Sequence, residues 1–374
     1  MPSVRRLAVL ASSLGLALLA ASCAGPAGSA GDTPPAYHVD ASWPQTLPNR
    51  WILGQVSGVA VGPDDHVYVL QRPRSLTEDE AGAMQKPPHG DCCRPAPPLL
   101  EFTPDGKLVR SWGGPGPGYD WPANEHGVHV DAKGFVWISG NGANDGQVLK
   151  FTPEGKFVLQ IGKVGPQTDS ADVTRLGRPA GIEVDNAADE VYIADGYHNR
   201  RVIVFDATTG AYKRHWGAYG RPPTTTEKPE DRRTVPPTAQ QLQHFGTPVH
   251  CVRLARDGLL YVCDRLNNRV QVFHRDGSFV QEFSIAPATT SNGSVWDIVL
   301  SRDPQQRWLH LADGRNNQVL TIDRKTGRIV DAVGRPGRYA GEFHWVHDLA
   351  IDSSGSLYAG EVDTGKRVQK FVRQ

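Results

Sequence analysis

The sequence predicts an all-β chain folded as a six-bladed β-propeller, and three observations carry that expectation. A strand–turn–strand unit recurs six times, 40 Gly and 29 Pro punctuate the chain with turns, and histidine occupies every second copy of one repeat column. At 374 residues the chain is long for one domain, yet closed all-β folds of this size form single units.

The first segment is of another kind. Arg5 and Arg6 precede an apolar run from Leu7 to Ala21, too short to span a bilayer comfortably, so residues 1–23 read as an export signal. The stretch "LLAASC" resembles a bacterial lipobox, which would make Cys23 a lipidated mature N-terminus; simple cleavage near the same place is the alternative. Residues 24–36, small and rich in Gly and Pro, read as a flexible tether. The expectation is an exported chain, a cell-envelope lipoprotein in the periplasm or on the outer face, or a secreted protein if Cys23 carries no lipid. Membrane contact would run only through that lipid.

From residue 37 to 374 the repeat takes over. Its six copies are "SGVAVGPDDHVYVLQR", "HGVHVDAKGFVWISGN", "AGIEVDNAADEVYIADG", "HCVRLARDGLLYVCDR", "WDIVLSRDPQQRWLHLADG" and "HDLAIDSSGSLYAGEV". Each is an apolar strand, a turn rich in Asp and Gly, and a second strand. Their aligned residues Val59, Val128, Ile182, Val252, Ile298 and Leu349 stand 46 to 70 residues apart, the spacing of four-stranded blades. Insertions at roughly 73–98 and 217–245 account for the longest intervals. Only the last blade lacks a fourth strand, because the chain stops soon after "RVQKFV". The segment Tyr37 to Asp40 is expected to supply it, closing the ring and removing an exposed edge.

Two residues before each aligned position stand Ser57, His126, Ala180, His250, Trp296 and His347. First strands of a propeller line the central channel, so histidines in the second, fourth and sixth blades converge with threefold spacing. A lone strand histidine is usually a packing residue. Three in one column, with 13 histidines in the whole chain, point instead to metal ligation, and three His with an open fourth position is the pattern of a catalytic zinc site. His66, His129, His198, His274, His310 and His344 have no such ring partners and read as structural or surface residues.

Forty Lys plus Arg balance forty Asp plus Glu, so no global field favours nucleic acid or an anionic membrane. Beyond Cys23 the cysteines are Cys92, Cys93, Cys251 and Cys263, which allow three pairings. Cys251 and Cys263 fall on two strands of one hairpin and could bridge or simply pack. Cys92 and Cys93 are adjacent in a Pro-rich loop, where a vicinal disulfide or a metal or redox role is open.

With "GQVSGVAV", "ADGYHNRRV", "DRLNNRVQVF" and "HDLAID" as its most specific pieces, the chain resembles the peptidyl-α-hydroxyglycine α-amidating lyases, within the wider NHL-repeat propellers, from about Gly54 to Phe371. The resemblance implies zinc on His126, His250 and His347, a catalytic tyrosine at Tyr197, and two catalytic arginines at Arg72 and Arg265. It also implies a structural calcium held by the backbone carbonyls of Val59 and Val128 and the carboxylate of Asp348. The reaction implied is cleavage of the C–N bond of a peptidyl-α-hydroxyglycine to a peptide amide and glyoxylate, by a monomer acting on a small-molecule or peptide substrate. His198 follows Tyr197 where the mammalian members tend to have cysteine, and no copper monooxygenase segment accompanies the repeat, so another N-hydroxyalkyl amide would also suit the site. Two rivals remain: a propeller that keeps its metal for another small substrate, and a non-catalytic envelope binding or scaffold protein.

Overall fold

A computed structural model describes residues 33–224 and 234–374. The expected export signal, Cys23 with its lipobox, and the tether up to residue 32 lie outside the described residues, as does part of the second insertion. Within them the chain forms six four-stranded antiparallel sheets and no α-helix. No described helix is long and apolar enough to cross a membrane. The first blade runs Gln55–Val61, Val67–Arg72, Leu99–Phe102 and Leu108–Trp112. The fourth runs Val249–Leu254, Leu260–Asp264, Arg269–Phe273 and Phe279–Ser284. First strands of successive blades touch one another right round the ring.

Alternation along each strand sends apolar side chains into the wedges between neighbouring sheets. The wedge between the sixth and first blades is typical, with Val67, Val69, Leu100 and Phe102 packed on Ala350, Tyr358 and Val368. Burial of each such side chain stabilises the ring by roughly 1.5–3 kcal/mol. The core is therefore distributed, one apolar layer per blade junction.

The ring closes as the sequence anticipates. Tyr37–Asp40 is the outer strand of the last sheet, pairing antiparallel with Arg367–Arg373 so that Tyr37 faces Arg373 and Asp40 faces Lys370. The Tyr37 hydroxyl also reaches Nε2 of buried His310 in the fifth blade, at 3.1 Å.

One irregularity decides where the site lies. In five of the six first strands the register slips near the start, between Val56 and Gly58, Glu125 and Val128, Val249 and Val252, Val295 and Asp297, and Val346 and Asp348. Each slip is a β-bulge at the histidine column, and a bulge re-aims the side chain it carries. The next column is crowded. A Cβ on Gly127 would come within 2.3 Å of Ala180 O on the neighbouring blade, so only glycine fits there. In the last two blades that column holds Asp297 and Asp348 instead, whose carboxylates accept the N–H of Leu349 at 2.9 Å and of Val59 at 2.8 Å, clasping one blade to the next.

Candidate metal centre

His126, His250 and His347 meet as a near-equilateral triangle, their ring centroids 4.8–4.9 Å apart and all three side chains buried. His250 Nδ1 lies 2.5 Å from Trp296 O and His347 Nδ1 2.9 Å from Ser57 O, so both donate there and turn an Nε2 lone pair inward. His126 Nδ1 has no hydrogen-bond partner among the described residues. Burial pushes all three well below the ordinary histidine value. For His126 the other two imidazoles add to this, for His250 chiefly Arg265, and for His347 Arg72 and Arg265. The rings are thus held neutral, the form a metal ion requires. This donor set fits a metal, and the three ligand atoms lie within 4.8 Å of one another.

Tyr197 follows the second strand of the third blade and reaches the same point. Its hydroxyl lies 2.9 Å from His126 Nε2 and 3.1 Å from His250 Nε2, and Arg265 Nη1 donates to it at 3.2 Å. With His250 Nδ1 committed as donor, His250 Nε2 is an acceptor toward the phenol. Arg265 opens a short 3-10 turn after the second strand of the fourth blade, its guanidinium stacked 4.6 Å from the Trp296 ring and 5.5 Å from that of Tyr197. Arg72 ends the second strand of the first blade and is fixed by Glu125 O at 2.6 Å and Gln55 Oε1 at 2.7 Å. Arg72, Tyr197, Arg265, Trp296, Trp345 and His347 all line one cavity of about 240 Å³. The six residues singled out for catalysis and for zinc therefore gather at one end of the channel.

Val59, Val128 and Asp348 lie further along the same strands. The two valines line a second cavity of about 230 Å³. Asp348 is buried, accepts one hydrogen bond from Val59 N, and has no ion-pair partner among the described residues. Burial, with Asp297 beside it, pushes its carboxyl well above the usual range. A buried carboxylate so placed fits a cation.

Sequence reasoning missed Arg253, three residues after His250. Its guanidinium grips both oxygens of Asp297 at 2.8 and 2.9 Å and donates to Ile298 O at 3.0 Å, Val252 O at 3.1 Å and Ile182 O at 3.5 Å. It binds three blades across the channel. Near it Glu183 and His129 face one another at 3.9 Å, burial raising the carboxyl to about 7 and lowering the imidazole to about 4. The available signal was that the column after Val128, Ile182 and Val252 carries His129, Glu183 and Arg253, polar residues where an apolar wall would suffice. Both cysteine pairs are bridged, Cys92 to Cys93 and Cys251 to Cys263.

A six-bladed propeller with a triangle of neutral imidazoles at one mouth is thus the class that fold and site define. Among known proteins the chain is similar to peptidyl-glycine alpha-amidating monooxygenase B of Xenopus laevis, 25% identical over 335 residues, covering 86% of this chain and 34% of that one. It is also similar to a Caenorhabditis elegans protein named "Probable peptidyl-alpha-hydroxyglycine alpha-amidating lyase" (24% identical; 84% of this chain, 81% of that one). A third relative is NHL repeat-containing protein 3 of Mus musculus, at 26% identity, 90% of this chain and 84% of the other. The chain spans about a third of the length of the amidating monooxygenase it matches. Among solved structures a streptogramin B lyase shares the fold, with a TM-score of 0.51 at 14% identity over 90% of this chain and 98% of that one. No protein-family model matches the chain.

Proposed function

We propose that this chain is a zinc-dependent carbon–nitrogen lyase that splits peptidyl-α-hydroxyglycine-like amides into an amide and glyoxylate. The observation that carries the reading is the Tyr197 hydroxyl, shared between two imidazoles and Arg265 on the floor of a cavity that also holds Arg72. Relatives named for amidation and for the amidating lyase support it. His126, His250 and His347 would hold the zinc, three neutral nitrogens leaving a fourth position open. Oxygen donors from Val59, Val128 and Asp348 would hold a structural calcium.

Zinc, when bound, supplies Lewis acidity toward a hydroxyl group in its open position. The protein's own groups do the rest. Arg72 and Arg265 receive the substrate carboxylate through planar paired donors and fix the leaving glyoxylate. With the histidine nitrogens taken up by metal, the phenol proton would be displaced to solvent, and the Tyr197 phenolate oxygen, beside the Arg265 donor, would then take the hydroxyl proton. As the C–N bond breaks, its electron pair goes to nitrogen, which receives that proton, and the carbinol carbon becomes the aldehyde of glyoxylate. No water is consumed, so a buried site is an advantage.

The same reading makes the chain an exported monomer, tethered through a lipid on Cys23 or released by cleavage, and two disulfides suit an oxidising compartment. The test is metal-replete protein with α-hydroxyhippurate. Equal amounts of glyoxylate and benzamide are expected. No glyoxylate from protein carrying one zinc per chain overturns the proposal.

A further inference from the structure

The cavity above the histidines has two unlike walls. On one, Gln55 Oε1 accepts from Arg72 and Asn141 Oδ1 accepts from Asn124 at 2.5 Å, so in both residues the carboxamide NH₂ is the end without a partner among the described residues. On the other stand Trp345 and Val362. Trp345 sits at φ 59°, a left-handed conformation that bulky side chains rarely adopt and that persists only where surroundings hold it. Here they do. Its N–H donates to Asn317 Oδ1 at 2.6 Å, its carbonyl accepts from Val362 N at 3.1 Å, and its ring meets Trp296 edge-on at 5.4 Å and 84°. Trp296 is in turn pinned by its indole N–H to Gly293 O at 2.8 Å. The indole of Trp345 is only partly buried, so part of it is left for the cavity. Strained backbone that presents a rigid aromatic surface in a pocket marks a contact surface for something that binds there.

The direction of the substrate decides what that is. With the reacting hydroxyl at the histidines and the carboxylate on the arginines, the acyl side of the amide has to leave through the mouth, between these walls. Resting on the lyase reading above, the geometry points to an aminoacyl group with an apolar or aromatic side chain as the acyl part of the substrate. Its side chain lies on Trp345 and Val362 and its backbone carbonyl accepts from Gln55 or Asn141. Asp363, exposed beside Val362 in the same lining, opposes an acidic side chain. Trp345 is thus a specificity-determining residue for the side chain next to the reacting amide.

The experiment compares kcat/KM for acetyl-phenylalanyl-, acetyl-aspartyl- and acetyl-α-hydroxyglycine, and separately measures binding of acetyl-phenylalaninamide and acetyl-glycinamide by tryptophan fluorescence. A preference of about tenfold or more for the phenylalanyl compound is expected in both series, the range one pocket contact supplies. Trp345→Gly, which accepts the backbone conformation without strain, brings the ratio to within about twofold while metal content stays at the wild-type level. Equal rates across the three substrates, or a preference kept in Trp345→Gly, overturns the inference. If no compound releases glyoxylate the lyase reading falls, and the inference is then decided by the amide-binding ratio alone, equal affinities refuting it.

Discussion

Arg253→Met tests the claim that one guanidinium holds the channel together. Asp297 is 1% exposed and Arg253 its only basic partner among the described residues, with Asp348 a like charge nearby. Removing the guanidinium leaves Asp297 with backbone N–H partners alone, those of Leu349 and Ile298, and strands a buried carboxylate, a change that costs about 3–5 kcal/mol. For a chain of this size that is a fall in Tm of about 4–7 °C. Adding Asp297→Asn removes the stranded charge and keeps an oxygen for Leu349, so the double variant should recover more than half of the loss. Thermal unfolding of the four proteins, read as a double-mutant cycle, gives the coupling directly. A fall below about 2 °C in Arg253→Met, or a double variant no more stable than the single, refutes the reasoning.

Three further outcomes follow from the same structure. His250→Ala should lose bound metal and glyoxylate release together, measured by metal analysis and a glyoxylate assay, whereas Tyr197→Phe should keep the metal and lose about 10²–10⁴-fold in kcat. His310 lies buried between the Tyr37 hydroxyl and Thr321 Oγ1, and burial lowers it to about 3. The unfolded chain takes up that proton below about 6.5, so this stability is full above pH 6.5 and is lost as pH falls toward 3. Denaturant melts should show His310→Gln flatter than wild type by about 2 kcal/mol between pH 6.5 and 5, and parallel curves would contradict the assignment. Removal of residues 1–40 strips the outer strand from Arg367–Arg373, so lower Tm and association by light scattering are expected, while removal of residues 1–32 should leave both unchanged.

The parts of this molecule that were legible are those that repeat. Strand alternation recurs in every blade, so Val59, Val128 and their four equivalents could be aligned, and that alignment alone put three histidines in one column. The outer strand at Tyr37 was legible by subtraction, since five blades had four strands and the last had three. What stayed hidden depends on contacts between blades. No sequence pattern announces that Arg253 reaches across to Asp297, 44 residues away, because long side chains at channel positions choose partners by distance across the ring. Asp297 and Asp348 occupy the column that glycine fills in the first three blades, and only the blade spacing shows that their carboxylates there clasp the next strand's N–H. Trp345 was hidden for a different reason: its left-handed backbone departs from what its residue type prefers and is imposed by Asn317 and Val362.

The pairing of Tyr37 with Arg373 makes the fold cyclic in all but covalent bonds. Loop-closure entropy grows only with the logarithm of length, so uniting these distant residues costs about 1.4 kcal/mol more than closing a single blade of some seventy residues. A ring obtained so cheaply has no privileged starting point: joining the ends by a short linker and reopening the chain in an exposed turn between two other blades would renumber every residue, yet leave the three imidazoles facing one another across the same axis.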